Sequence, residues 1–140
     1  MLDADRFLQA QAPVYAQVPA ELRAGRKRSH WMWFIFPQLA GLGKSSMAAH
    51  YALQDLRQAR AYLEHPVLGA RLVECTRLAL AQEKVGLQVL FGSPDNMKFR
   101  SCMTLFELAK PDEACFTEAL DRLCARQRDQ RTLKLLDDAG

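Results

Sequence analysis

Between a triplet of cations, Arg26, Lys27 and Arg28, and a Gly-Leu-Gly-Lys-Ser loop at Gly41 to Ser45 lies the block Trp31-Met32-Trp33-Phe34-Ile35-Phe36, closed by Pro37. It holds both tryptophans of the chain. Six consecutive apolar side chains cannot all stay in water, so the fold has to wrap around this block. As a strand it would place Trp31, Trp33 and Ile35 on one face and Met32, Phe34 and Phe36 on the other, buried on both sides. As a helix it would place Trp31, Phe34 and Ile35 in one stripe. Periodicity does not separate the two in so short a run. The helical character of its neighbours favours a short buried helix that stops before Pro37, because the residue preceding a proline is pushed out of the helical region.

Those neighbours carry recognisable starts and stops. Asp3 is a candidate cap for a first helix with Phe7 and Leu8 on its buried side, ended by Pro13. Val14, Val18 and Leu22 recur every four residues up to Gly25, a C-terminal stop, and Pro19 either restarts or kinks that segment. Ser45 or Ser46 opens a helix through Tyr51, and Asp55 caps another that ends at His65 ahead of Pro66. Val67 to about Gln82 reads as a long amphipathic helix and Val85 to Phe91 as a short one. Ser93-Pro94-Asp95 has the form of a helix start, with Ser93 as cap, Pro94 in the first position and Asp95 near the positive end. Asp112 opens a further helix, and Thr132 to Leu136 suggests a last turn. No internal repeat or low-complexity tract interrupts the pattern. The expected fold is all-α, a compact irregular bundle of about seven or eight helices forming a single domain over residues 1–140.

Composition narrows the function classes. A hydrophobic fraction of 49% with 25% charged residues is neither disordered nor membrane-embedded. No apolar run approaches the roughly 20 residues that cross a bilayer. With Asp3 and Asp5 early and no apolar stretch, the N-terminus does not read as a signal peptide, so a cytoplasmic location and no membrane partner are expected. The net charge of +3 suits an anionic ligand but lacks the dense basic footprint of a nucleic-acid binder. The four cysteines form no close pair, and His30, His50 and His65 are scattered away from them. They read as free buried thiols, with no metal site and no cofactor.

Three constellations could carry chemistry. Gly43-Lys44-Ser45 is the tail of a phosphate-loop pattern whose first glycine is replaced by Gln38, so it is at most an anion-binding turn at a helix start; otherwise it is a cap beside a solvated lysine. Arg26, Lys27 and Arg28 beside Trp31 and Trp33 combine cations with flat aromatic faces, the ingredients for holding a phosphate and stacking a ring. Three charges at a helix end are also an ordinary solvated turn. Asp95, Lys98, Arg100, Ser101 and Thr104 form a polar stripe, in which Asp95 and Lys98 at i, i+3 are an ordinary surface pair, whereas Arg100 lies among residues expected to be buried. His30 and His50 are candidate acid or base groups, yet no residue at a suitable spacing completes a nucleophilic triad.

The motifs Arg23 to Leu39 through Trp31-Met32-Trp33-Phe34-Ile35-Phe36-Pro37-Gln38, Gly41 to Ser45, His65-Pro66-Val67-Leu68-Gly69, and Gly92-Ser93-Pro94-Asp95 with Lys98 to Phe106 resemble a bacterial family called domain of unknown function eighteen-ten, some members of which are labelled calpastatin. The resemblance covers nearly the whole chain and implies a mainly helical single domain of uncharacterised function. The calpastatin label fits poorly, since animal calpastatin is disordered and this chain is not. A fainter similarity links the helix-rich layout, with Lys98 and Arg100 ahead of an apolar segment, to proteins of NAD and ADP-ribose metabolism.

Three functions compete on these residues. In the first, Arg26, Lys27, Arg28, His30, Trp31, Trp33, Lys44, Ser45, Arg100 and Ser101 line a cleft that binds a small anionic metabolite, phosphate-like or nucleotide-like. In the second, the chain is a hydrolase or transferase on an ADP-ribose-like substrate, with His30 or Asp95 transferring the proton and Arg100 holding phosphate. In the third it is a protein interaction module without a small ligand, with the aromatic block as core.

Overall fold

The apolar block does form a helix, a single turn over Met32–Ile35, and the structure closes around it. A computed structural model describes residues 1–139 and contains ten helices, with no β-strand among the described residues beyond one isolated bridge. In chain order they are α1 (Ala4–Gln11), α2 (Gln17–Arg23), α3 (Met32–Ile35), α4 (Ser46–His50), α5 (Leu56–Glu64), α6 (Leu68–Leu80), α7 (Leu87–Phe91), α8 (Asp95–Ala109), α9 (Ala114–Leu123) and α10 (Gln130–Ala139). The all-α class is as expected, but the count of seven or eight is too low. All ten fall on segments that the sequence marks one by one, and α3, α4 and α7 are only four or five residues long. One turn is too short to show a 3.6-residue period, and such helices persist only through tertiary packing.

Local signals explain most boundaries. Ser45 Oγ accepts the backbone N–H of Ala48 at 3.1 Å and Asp55 Oδ1 that of Gln58 at 2.9 Å, each serving a donor that the helix cannot pair internally. His65 ends α5, and its Nδ1 then accepts the N–H groups of Val67 and Leu68, both at 3.2 Å. Gly25 adopts φ +80 after α2, the left-handed stop for which glycine has no steric penalty. The helix restarts before Pro19 rather than kinking at it: Pro19 lies in the first turn of α2, where its missing N–H has no partner to lose.

Three expected boundaries are corrected. Asp3 precedes α1 but makes no capping bond. Ser93 does not cap α8, and Pro94 sits just outside the helix instead of in its first turn, because the N–H of Asn96 is already taken by the carbonyl of Gly92 at 2.8 Å. The last helix runs from Gln130 to Ala139 rather than for a single turn at Thr132 to Leu136, since Asp129 accepts both the N–H and the hydroxyl of Thr132 and so starts it early.

The core is assembled on α6 and α8. Helix α6 packs against α2, α5 and α9, while α8 packs against α5, α7, α9 and α10. Trp31, Phe36, Phe99 and Phe106 are fully enclosed, with Phe36 and Phe99 edge to face at 5.2 Å between ring centres. A second aromatic line runs from Phe7 through Tyr62 to Phe106 and Phe116. Each edge-on or offset pair adds about 0.5–1.5 kcal/mol beyond its burial.

Because Pro37 ends α3, the carbonyl of Phe34 has no helical partner. The fully buried Gln11 supplies one, donating from Nε2 at 2.7 Å, and Tyr62 donates its hydroxyl to the same oxygen at 3.3 Å. Gln11 also accepts from Arg71 at 3.1 Å, which ties α1, α3, α5 and α6 together. Beyond Pro37 the chain pairs with the segment after α4: Leu53 N–H donates to Gln38 O at 2.9 Å and Ala40 N–H to Leu53 O at 2.8 Å. That clasp holds the Gly41 to Ser45 turn and α4 out as a closed excursion.

Gly69 is placed by close packing between α5 and α6. A methyl group there would lie 1.9 Å from the carbonyl oxygen of Leu63, a backbone atom that cannot step aside. Gly69→Ala is therefore expected to cost at least about 2 kcal/mol, seen as a fall of several degrees in the thermal unfolding midpoint. An unchanged midpoint would contradict the packing described.

Candidate functional site

The stretch from Lys27 to Trp33 is arranged by one carboxylate. Glu21, on α2, accepts the backbone N–H groups of Arg28 at 2.7 Å and Ser29 at 3.0 Å, the Ser29 hydroxyl at 2.5 Å and the indole N–H of Trp31 at 3.0 Å. Partial burial works to raise its pKa, but these donors outweigh it and hold the carboxyl down at about 2. The connection it shapes is non-helical, so neighbouring side chains diverge. Lys27 turns inward, while Arg26 and Arg28 are exposed.

Inside, Lys27 Nζ meets Asp95 Oδ2 at 2.8 Å, and Lys98 Nζ approaches Asp95 Oδ1 at 3.5 Å. Each lysine also rests over an indole, Lys27 over Trp31 at 5.2 Å and Lys98 over Trp33 at 4.8 Å. The result is a Lys-Asp-Lys bridge laid across both tryptophans. Trp31 is wholly enclosed, whereas Trp33 is half-buried and its indole N–H is buried without an acceptor among the described residues. The cations thus meet the aromatic faces as expected, but Asp95 already balances them.

Lys98 also belongs to a neighbouring cavity of about 190 Å³ between the loop after Pro37, the first turns of α8 and the start of α10. Leu42, Gly43, Pro94 and Met97 form its walls. Its polar groups are Gln38, Lys98, Ser101, Asp129 and Arg131. Arg131 donates to the carbonyl of Leu42 at 3.2 Å, which pins α10 against the glycine loop. No carboxylate of the described residues lies within ion-pair distance of Arg131. Asp129 is set by its own N–H, which donates to Thr104 Oγ1 at 2.9 Å, and its Oδ2 is occupied by Thr132.

The ten residues expected to line one cleft are distributed over several places. Ser101 lines the cavity, its hydroxyl donating to Met97 O at 3.1 Å. Lys27 and Trp33 adjoin it through Asp95 and Lys98. Trp31 is core. Arg26, Arg28, His30 and Lys44 are exposed, and none of them borders the cavity; Ser45 serves as the cap of α4. Arg100 is half-buried beside Cys124, with its Nε buried and unpartnered. Of the two candidate proton-transfer groups, Asp95 is committed to two lysines and His30 stands in solvent.

Gln38, Lys98, Asp129 and Arg131 were not among the expected site residues. Asp129 does carry a legible signal, an acid three residues ahead of Thr132 in the manner of a helix cap. Gln38 sits inside the motif Phe36-Pro37-Gln38-Leu39, and Lys98 has the i, i+3 spacing of an ordinary surface pair with Asp95. Arg131 has no local signal, since only the packing of α10 brings it there.

Away from this region the four cysteines are free and buried. Burial pushes the Cys75 and Cys115 thiols up to about 12 and Cys124 to about 11, so they stay protonated and unreactive. No group of metal-binding side chains occurs among the described residues, and no helix is long and apolar enough to cross a membrane.

Residues 1–136 match the model of a family described as "Protein of unknown function (DUF1810)". The fold is similar to the crystal structure of the conserved hypothetical protein Rv1873 from Mycobacterium tuberculosis, with a TM-score of 0.92 and 47% sequence identity over 97% of each chain. No curated protein matches the sequence.

The Glu21 hub has a pH signature. Its carboxyl is held near 2, below the ordinary 4.5, so its contribution is complete above about pH 4.5 and is lost as pH falls towards 2. Glu21→Gln should melt earlier than the native chain at pH 7, and the gap should narrow between pH 4.5 and 2. Parallel melting curves across that window would show that Glu21 does not hold the loop as a carboxylate.

Proposed function

The chain belongs to the DUF1810 family, and we propose that it binds a small anionic ligand, phosphate-like or nucleotide-like, in the cleft where Lys98 and Arg131 converge. The observation that carries this reading is the arrival of two cations from separate helices at one cavity, with no acid in ion-pair contact with Arg131. A cationic group kept unpaired beside apolar walls suits a ligand that brings the missing negative charge. Gln38 and Ser101 offer neutral hydrogen bonds that orient it. Trp33 supports the reading from beside the cavity, with Lys98 over its face. Of the wider basic and aromatic stretch, Lys27 contributes indirectly, by holding Asp95 so that Lys98 shares that carboxylate at the longer 3.5 Å distance. A cytoplasmic setting goes with this proposal, supported by four thiols that are all unpaired.

The alternative of a hydrolase or transferase on an ADP-ribose-like substrate draws no support from Asp95, which is held between two lysines, or from the solvent-exposed His30. An interaction module would have the exposed Val85 and Val89 near α7 to work with, apart from the cavity.

Thermal shift against inorganic phosphate, pyrophosphate and a nucleoside monophosphate tests the reading. At a hundred times its dissociation constant a ligand adds about 2.7 kcal/mol, a rise of roughly 2 to 8 °C for a chain of this size. Arg131→Ala and Lys98→Ala should abolish the rise, and Lys44→Ala should keep it. No rise with any of the three, or a rise lost with Lys44→Ala alone, would overturn the assignment.

A further inference from the structure

Arg131 and Asp129 border the same cavity with opposite charges, two residues apart, and do not pair. Residues at i and i+2 of a helical start project away from one another, so the backbone itself keeps them separate. Oδ2 of Asp129 is fully used by Thr132, which also fixes the carboxylate's direction, while Oδ1 accepts nothing from the described residues. A carboxylate beside an anion site repels a bare anion. Its presence makes sense for a ligand that carries donors as well as negative charge.

The neutral groups point the same way. The Ser101 hydroxyl spends its proton on Met97 O and keeps its lone pairs for an incoming donor. Gln38, whose backbone is clasped to Leu53, presents a side-chain amide able to donate and accept. The size is also restrictive: about 190 Å³ is below the usual range of about 300–1,000 Å³ for ligand pockets, which leaves room for one sugar-sized group rather than a dinucleotide.

Resting on the anion-binding reading of this cleft, we propose that its ligand is a small hydroxylated phosphate ester of the sugar phosphate class, with the phosphate on Lys98 and Arg131 and a hydroxyl donating to Oδ1 of Asp129. The phosphate supplies affinity, and Asp129 supplies preference for the ester over inorganic phosphate.

Calorimetric titration of the full chain with ribose 5-phosphate, inorganic phosphate and ribose tests this. Ribose 5-phosphate should bind at least about tenfold tighter than phosphate, the worth of one charge-assisted hydrogen bond, and ribose should bind far more weakly than either. In Asp129→Asn, where asparagine still caps α10, the preference should shrink to about twofold while phosphate binding persists. If that variant does not fold, methyl phosphate, an ester without a free hydroxyl, should bind the native chain within about twofold of inorganic phosphate. Equal affinities in the native chain, an unchanged preference in Asp129→Asn, or methyl phosphate binding as tightly as ribose 5-phosphate would each overturn the sugar phosphate assignment and leave anion binding standing. No binding of either phosphate compound would overturn the anion reading as well.

Discussion

The hydrogen bonds that Gln11 and Tyr62 donate to the carbonyl of Phe34 make the aromatic block tolerable as a core. A one-turn helix leaves most of its backbone polar groups unpaired, and burying them without partners would cost about 1–3 kcal/mol each. Gln11 reaches across from α1 to meet that need, and its own acceptor is met by Arg71 of α6. Four helices are thus registered against one another by a single buried amide. The surrounding aromatic rings then pack about a point that is fixed by polarity rather than by shape alone.

The same logic, a polar group held where chain geometry leaves a need, recurs at the edge of the core. Glu21 collects the donors of the turn before α3, and that turn delivers Lys27 to Asp95. Asp95 in turn steadies Lys98, which faces the cavity from the first turn of α8. On the far side, Glu107 grips Arg128 at 2.6 Å, and Arg128 also pairs with Asp121, anchoring the segment that leads into α10. Donation from Glu107's two partners, Arg128 and then Thr117, keeps that carboxyl below its ordinary range despite partial burial. The cavity is therefore bounded by two independently braced segments.

How much of this was legible follows from the range of the signals. Ser45, Asp55, His65 and Gly25 act within four residues of their own position, and each was readable. Helices α3, α4 and α7 are legible through their flanking residues alone, since one turn has no period. The site was legible only in part for a different reason. Arg26, Lys27 and Arg28 are alike as letters, and only the hub at Glu21 decides that the middle one turns inward. Asp95 and Lys98 have the spacing of a surface pair, and the third member, Lys27, lies about seventy positions away in the chain and is invisible to spacing.

By itself the sequence determined an all-helical chain, the Ser45 and Asp55 caps and the Gly25 and His65 stops, an apolar block at Trp31 to Phe36 that has to be packed against the rest, and membership of its family, because these rest on local propensity and on apolar pattern. The tertiary structure alone decided which charges are neutralised and which stay available. Arg131 meets the Gln38 to Gly43 loop only because α10 folds back onto α8, and Asp129 and Arg131 share a cavity without pairing only because the start of α10 splays them apart. Propensity is a property of neighbours in sequence, whereas electrostatic complementarity is a property of neighbours in space.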